Sequence, residues 1–162
     1  PKNIEEWRRD WAIIRFTTNL GDATGWYGNV EWNPNDISKA GDTVVGQPTN
    51  YIGYPTDWPT DPALKDYQGY LPALQAGCNI LGKDPQLEIL IHDCDITPGT
   101  SGSSMFSAVS ETDFRTMALN NGYATATDGR PISTAVPLER FMPAILKLRQ
   151  TGATNDTAVP VP

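Results

Sequence analysis

A loop of small residues around Ser101 carries the residue types that a nucleophilic hydroxyl requires. It covers residues 93–104 and follows an apolar, strand-like run at residues 87–91. Ser101 lies close to two glycines, Gly99 and Gly102. Such a loop can present a serine hydroxyl, and its backbone N–H groups can converge where an oxyanion would develop. The pattern predicts acyl transfer through Ser101, and the alternative is a turn serine that hydrogen-bonds its own loop.

This loop is the last of three motifs along the chain. Residues 92–103 read His-Asp-Cys-Asp-Ile-Thr-Pro-Gly-Thr-Ser-Gly-Ser, residues 51–55 read Tyr-Ile-Gly-Tyr-Pro, and residues 9–16 read Arg-Asp-Trp-Ala-Ile-Ile-Arg-Phe. They resemble the nucleophile loop, a Gly-Tyr-Pro strand and the triad-aspartate strand of chymotrypsin-fold serine proteases, most closely the V8-like branch. The resemblance covers residues 7–147 and implies an all-β fold with a chymotrypsin-like Greek-key barrel.

The resemblance implies roles for individual residues. Ser101 would be the nucleophile and Asp10 the triad aspartate, with the backbone N–H groups of Gly99 and Ser101 forming the oxyanion hole. Asp95 matches the position that selects Arg or Lys in trypsin-like enzymes, although V8-like relatives often carry it without basic specificity. Without the resemblance, Asp10 reads as a surface aspartate paired with a neighbouring arginine.

Residues 117–122 resemble the strand that takes up substrate by strand addition, which implies substrate contacts at Leu119, Asn120 and Asn121. Glutamyl endopeptidases of this kind carry a histidine in that strand. Its absence here argues against glutamyl specificity. Thr100 occupies the place of the aspartate that pairs with a freed N-terminus in trypsin-like zymogens, so activation would follow another route.

The triad histidine is missing from this sequence. In chymotrypsin-like enzymes the triad runs His, Asp, Ser along the chain, so the histidine would precede Asp10. The chain begins with Pro1 and contains one histidine, His92, nine positions before Ser101. We expect His92 to be structural. We expect the catalytic histidine on a separate N-terminal fragment of the same precursor, so that this chain is one part of a two-chain protease derived from a zymogen.

Two other functions fit the same residues. A protease homologue without activity would serve as a binding or regulatory module, because loss of the histidine is a common origin of such proteins. A structural β-barrel fragment with a chance serine loop is the third possibility. Labelling of Ser101 by a fluorophosphonate distinguishes the enzyme from both.

The composition limits the partners and the compartment. The 162 residues carry a formal net charge of −7, which argues against nucleic acid or an anionic membrane as a partner and fits a secreted protein. We expect a polypeptide substrate and no need for a metal or organic cofactor. Two cysteines and one histidine without tight spacing do not make a tetrahedral zinc site.

The two cysteines, Cys78 and Cys94, flank a turn signal at residues 82–86. The flanking segments read as the arms of a hairpin, which would place the cysteines nearly opposite each other. We therefore predict a disulfide, which would indicate an oxidising compartment. The alternative is two buried free thiols.

High contents of Gly and Pro, 14 residues each, favour short strands and turns over helices. Residues 1–35 are predicted to form the last part of a first barrel and a linker, residues 36–150 a second β-barrel with a C-terminal helix, and residues 151–162 a flexible tail. The best-defined elements are strands at residues 11–17, 41–45, 51–54, 87–92, 103–108, 114–120 and 131–136, and a helix at residues 138–149.

Overall fold

The β-favouring segments of the chain form seven strands within residues 4–30 and 40–151, the part of the chain that this computed structural model describes. Residues 1–3, 31–39 and 152–162 lie outside it, and with them most of the predicted tail. The strands are β1 (Gly28–Asn29), β2 (Pro48–Gly53), β3 (Ala73–Asp84), β4 (Ile89–His92), β5 (Ser104–Ala108), β6 (Phe114–Thr125) and β7 (Pro131–Pro137).

Six of these strands close into an antiparallel barrel. The strand order is β1-β6-β5-β2-β3-β4-β7, and β6 also pairs with β7. This last pairing closes the ring formed by strands β2 to β7. β2, β3 and β4 are consecutive neighbours, and β5 returns to lie beside β2, which is the Greek-key arrangement. The predicted all-β fold is confirmed and is consistent with a chymotrypsin-like barrel. The β4–β5 crossover, residues 93–103, contains the candidate serine loop.

The barrel interior is filled by side chains from all around the sheet. Ile80, Leu90, Met105 and Ala135 are each fully buried there. Burial of a side chain as large as that of Ile80, Leu90 or Met105 stabilises a fold by about 1.5–3 kcal/mol. The fixed interior holds the strand ends, and therefore the connecting loops, in defined positions.

A second apolar cluster joins the barrel to the C-terminal elements. It contains Val136, Leu138, Phe141 and Met142. The predicted helix at residues 138–149 is divided into a 3-10 turn, Leu138–Arg140, and α2, Met142–Thr151. Pro143 is tolerated because it lies in the first turn of α2, where its missing N–H has no helical partner to lose.

The predicted disulfide is confirmed. Cys78 of β3 is bonded to Cys94, which lies two residues beyond the end of β4. The hairpin explains the pairing, since Ile80 of β3 lies opposite His92 of β4. The bond ties the beginning of the β4–β5 crossover to a strand of the barrel wall.

Two predicted strands are absent. Residues 11–17 have no regular secondary structure, because no strand of the described residues lies beside them to complete a ladder. Residues 42–44 form a 3-10 turn, Asp42–Val44, which Gly41 begins with a φ of 82°. The remaining short helices are Ile4–Arg9, α1 (Leu20–Thr24) and Pro62–Tyr67. None of the described helices is long and apolar enough to cross a membrane.

Candidate functional site

The first half of the serine loop packs closely against the residues that follow β2. The N–H of Thr56 donates to the carbonyl oxygen of Pro98 at 2.8 Å. Gly99 has a φ of 96°, and a Cβ there would overlap the carbonyl oxygen of Tyr54. Both its backbone angle and this contact restrict position 99 to glycine.

The second half of the loop is attached to Asn120 on β6. The N–H of Gly102 donates to the Asn120 carbonyl at 2.7 Å, and the N–H of Asn120 donates to the Ser103 carbonyl at 2.9 Å. The Asn120 side-chain amide donates to the carbonyl oxygen of Thr100 at 3.0 Å and to its hydroxyl at 3.1 Å. The Thr100 hydroxyl in turn donates to the Thr97 carbonyl at 2.7 Å.

Ser101 lies exposed at the tip of this loop. Its hydroxyl makes no hydrogen bond to the described residues, nor do the backbone N–H groups of Ser101 and Gly99. The neighbouring Thr100 is 1 % exposed, so the backbone on the N-terminal side of the serine is fixed while the serine faces solvent. This arrangement can present a hydroxyl and two N–H donors to a carbonyl group.

His92 is a buried residue of the barrel wall and makes no hydrogen bond to Ser101. Burial lowers the pKa of its imidazole to about 4. The Thr134 carbonyl and the Asn120 side chain lie near the ring and oppose this shift, but neither meets hydrogen-bond geometry. The ring is therefore neutral at pH 7.

Asp10 follows the first 3-10 helix, and its N–H donates to the Trp7 carbonyl at 3.1 Å. Its carboxylate is exposed and has no hydrogen-bond or ion-pair partner among residues 4–30 and 40–151. The helix before it is held by two contacts. Arg8 forms an ion pair with Glu88 at 2.9 Å, and the Asn121 amide donates to the Trp7 carbonyl at 3.1 Å. The second contact attaches the Asp10 segment to β6.

Asp95 lines a cavity of about 500 Å³ on the side of the loop that faces the segment after β2. Its backbone is fixed, since its N–H donates to the Gln75 side chain at 2.7 Å and its carbonyl accepts from the Tyr51 hydroxyl. Asp57 also lines the cavity and accepts from the Thr97 hydroxyl at 2.7 Å. Burial, then the charges of Asp95 and Asp57, raise the pKa of Tyr51. The cavity is negative because its lining includes these two aspartates and no Lys or Arg.

The three predicted substrate contacts on β6 differ in their burial and in their hydrogen-bond partners. Leu119 is half-buried and pairs with β5 and β7, while Asn120 is 1 % exposed and points toward Thr100. Asn121 is half-buried, and its side chain accepts from the Thr134 hydroxyl at 2.9 Å. Beyond Asn120, no described strand pairs with β6 on the β5 side, so this edge is open to an added strand.

Sequence reasoning missed the inward-facing role of Asn120 and the cavity residues Tyr51, Asp57 and Trp58. One signal for Asn120 was available, because this polar residue directly follows the apolar run Met117-Ala118-Leu119 of a predicted strand. A buried asparagine in such a place requires hydrogen-bond partners.

A metal site is not supported at the cysteines. Potential ligand atoms of Cys78, Asp93 and Cys94 lie within 4.8 Å of one another, but the two sulfurs are bonded to each other. Sulfurs in a disulfide are not the thiolates that bind zinc.

No model of a protein family matches the chain, and no curated protein is similar enough to be matched with it.

Proposed function

We propose that this chain is the nucleophile-bearing part of a serine endopeptidase. The observation that carries the proposal is the state of the serine loop. Its backbone is fixed by hydrogen bonds from Thr56, Gly102 and Asn120, while the Ser101 hydroxyl and the N–H groups of Gly99 and Ser101 have no partner among the described residues. A preorganised loop with unoccupied donors is what stabilisation of an oxyanion requires.

The reaction would proceed in two halves. The Ser101 oxygen attacks a peptide carbonyl carbon while an imidazole takes the serine proton, and the N–H groups of Gly99 and Ser101 stabilise the oxyanion. The C–N bond then breaks, the amine leaves with the proton, and an ester to Ser101 remains. Water hydrolyses this ester, which returns the proton to the serine oxygen.

The imidazole would come from another polypeptide segment, as the sequence resemblance implies. The only histidine of this chain is buried, neutral and not bonded to Ser101. Asp10 would orient the incoming ring, and its exposed, unpaired carboxylate is compatible with that role. The contact between Asn121 and Trp7 keeps the Asp10 segment against β6, the strand that also anchors the serine loop.

The surface of residues 11–16 supports a polypeptide partner. Ile14 is 75 % exposed and Phe16 is 59 % exposed, on a β-favouring segment beside which the described residues place no strand. A partner that adds a strand there would bury both side chains. The proposed partner is the N-terminal fragment of the same precursor, and the proposed location is extracellular, for which the disulfide is the supporting feature.

A non-catalytic binding module is the second candidate. It is favoured by the absence of any base hydrogen-bonded to Ser101 among the described residues and by the open edge of β6. In that case an extended peptide would bind along residues 121–125 and would not be cleaved.

A fluorophosphonate probe tests the proposal. The protein would be purified with any polypeptide that accompanies it, treated with the probe and analysed by mass spectrometry. Modification at Ser101 would support the endopeptidase. The modification should be lost in Ser101→Ala and retained in Ser110→Ala, a matched serine variant outside the loop. Binding of an extended peptide without modification of Ser101 would support the binding module instead.

A further inference from the structure

The buried amide of Asn120 connects the barrel interior to the serine loop. Four hydrogen bonds join this residue to the loop, two through its backbone and two through its side chain. Both side-chain bonds go to Thr100, the residue immediately before Ser101, and both residues are 1 % exposed. Buried hydrogen bonds of this kind define a conformation because the alternative leaves polar groups unpaired.

The other end of this amide lies close to His92 without a hydrogen bond between them. The Asn120 Oδ1 atom is buried without a hydrogen-bond partner, and His92, whose two ring nitrogens are likewise unpartnered, lies close to the Asn120 side chain. A neutral imidazole can donate from one nitrogen toward an amide oxygen. The amide nitrogen, on the opposite side, donates to Thr100.

We propose that Asn120 is a positioning residue that holds Thr100, and through it the backbone of Ser101, by neutral hydrogen bonds from inside the barrel. The proposal deepens the proposed function and rests on it for its catalytic meaning. The hydrogen bonds between Asn120 and Thr100, which we call the anchor, contain no charged group. The loop is therefore held at residue 100 without an ion pair. Residue 100 lies in the β4–β5 crossover and residue 120 lies on β6.

Hydrogen exchange of individual amides tests the anchor without any assay of activity. In Asn120→Ala the amides of Gly102 and Ser103 should exchange about tenfold faster, the change expected when net hydrogen-bond stabilisation of about 1.4 kcal/mol is lost. The matched control is Asn50→Ala, which removes an amide that accepts from the Gly77 N–H at 3.2 Å. It should accelerate exchange at Gly77 and leave Gly102 and Ser103 unchanged.

A second pair of variants covers the possibility that Asn120→Ala does not fold. Thr100→Val removes the hydroxyl and keeps the side-chain shape, so it should accelerate exchange at Gly102 and Ser103. Thr100→Ser restores the hydroxyl and should restore slow exchange. Wild-type exchange rates at both amides in folded Asn120→Ala or in Thr100→Val would overturn the proposal.

Labelling with the fluorophosphonate separates failure of the anchor from failure of the proposed function. A positioning role predicts a lower labelling rate at saturating probe in Thr100→Val, an unchanged half-saturating concentration, and recovery in Thr100→Ser. If wild-type protein is not labelled while the amides respond as expected, the proposed function fails and the anchor stands. If Thr100→Val is labelled at the wild-type rate, the positioning role is wrong and the enzyme stands.

Discussion

The side-chain amide of Asn120 donates to both the carbonyl oxygen and the hydroxyl of Thr100, at 3.0 Å and 3.1 Å. The two residues are twenty positions apart and lie on different parts of the barrel, one on β6 and one in the β4–β5 crossover. Through this contact the barrel core defines the backbone on which Ser101 is presented. Substitutions in and around this fixed loop should therefore have measurable effects on stability.

Replacing Gly99 should disturb the loop more than replacing a glycine with the same backbone angle elsewhere. Gly99→Ala places a Cβ against the Tyr54 carbonyl at a φ of 96°, and we expect a loss of about 2–4 kcal/mol in the free energy of unfolding. Gly129 has a φ of 86° but open space around it, so Gly129→Ala should lose only about 1 kcal/mol. Urea unfolding measures both, and equal losses would contradict the contact with Tyr54.

The buried imidazole of His92 should make stability depend on acid. Its folded pKa of about 4 lies below the ordinary value, so between pH 6.5 and pH 4 the unfolded chain binds the proton more readily. Stability should therefore fall as the pH is lowered through this range, by about 3 kcal/mol in total.

Comparison with His92→Gln isolates this contribution, because glutamine does not titrate. Burial raises the pKa of Glu139, and this carboxyl contributes in the opposite direction, with stability falling as pH rises from the ordinary carboxyl pKa toward the raised one. The difference between wild type and variant cancels the Glu139 contribution. Parallel pH profiles of the free energy of unfolding for the two proteins would show that His92 does not titrate as expected.

The disulfide should stabilise the barrel substantially. Cys78 and Cys94 are 16 positions apart, and closing a loop of that length in the unfolded chain is worth about 3 kcal/mol. The double variant Cys78→Ala/Cys94→Ala should lose about that amount in urea unfolding under oxidising conditions. Addition of a reductant should destabilise the wild type and leave the double variant unchanged. A response of the double variant to the reductant would mean that the disulfide is not the source of the stability that the reductant removes.

The negative cavity beside the loop predicts the substrate preference, if the chain acts as a protease. Asp95 and Asp57 both line it, so a substrate with Arg or Lys before the cleaved bond should be preferred. Asp95→Asn should lower kcat/KM for such substrates by about tenfold to a hundredfold and leave uncharged substrates unaffected. A peptide-library profile that is indifferent to Arg and Lys would remove the basic preference.

The exposed side chains of Ile14 and Phe16 should contribute more to binding of the proposed partner than to the stability of the barrel. Ile14→Ser/Phe16→Ser should change the free energy of unfolding of this chain by less than about 0.5 kcal/mol, because both side chains are exposed. The same variant should weaken capture of the proposed histidine-bearing partner. Val109→Ser, at a side chain 57 % exposed in the β5–β6 turn, is the matched control. Equal capture by both variants would argue against this surface as the docking site.

The elements that could be predicted well from the sequence are those that depend on residues close together in the chain. The arms of the hairpin around residues 82–86 are adjacent in the chain, so their pairing and the disulfide between Cys78 and Cys94 follow from the turn signal. The strands at β5, β6 and β7 are likewise indicated by β-favouring runs between turns. The Greek-key closure follows from the family resemblance and not from any local pattern.

The elements that sequence predicted poorly depend on partners elsewhere. Residues 11–17 are β-favouring, but a strand also needs a neighbour, and the described residues supply none. The 3-10 turn Asp42–Val44 follows from the positive φ of Gly41, which periodicity does not reveal. The bonds between Asn120 and Thr100 join β6 to the β4–β5 crossover, so the sequence indicates that this asparagine needs partners but not which residue supplies them.

The covalent bridge between β3 and the crossover has one more consequence. A protease that nicked the turn at residues 85–88 would cut the backbone between Cys78 and Cys94, yet the two pieces would stay joined through sulfur. Such a nicked molecule would migrate as one band on a non-reducing gel and as two bands once the sulfurs are separated.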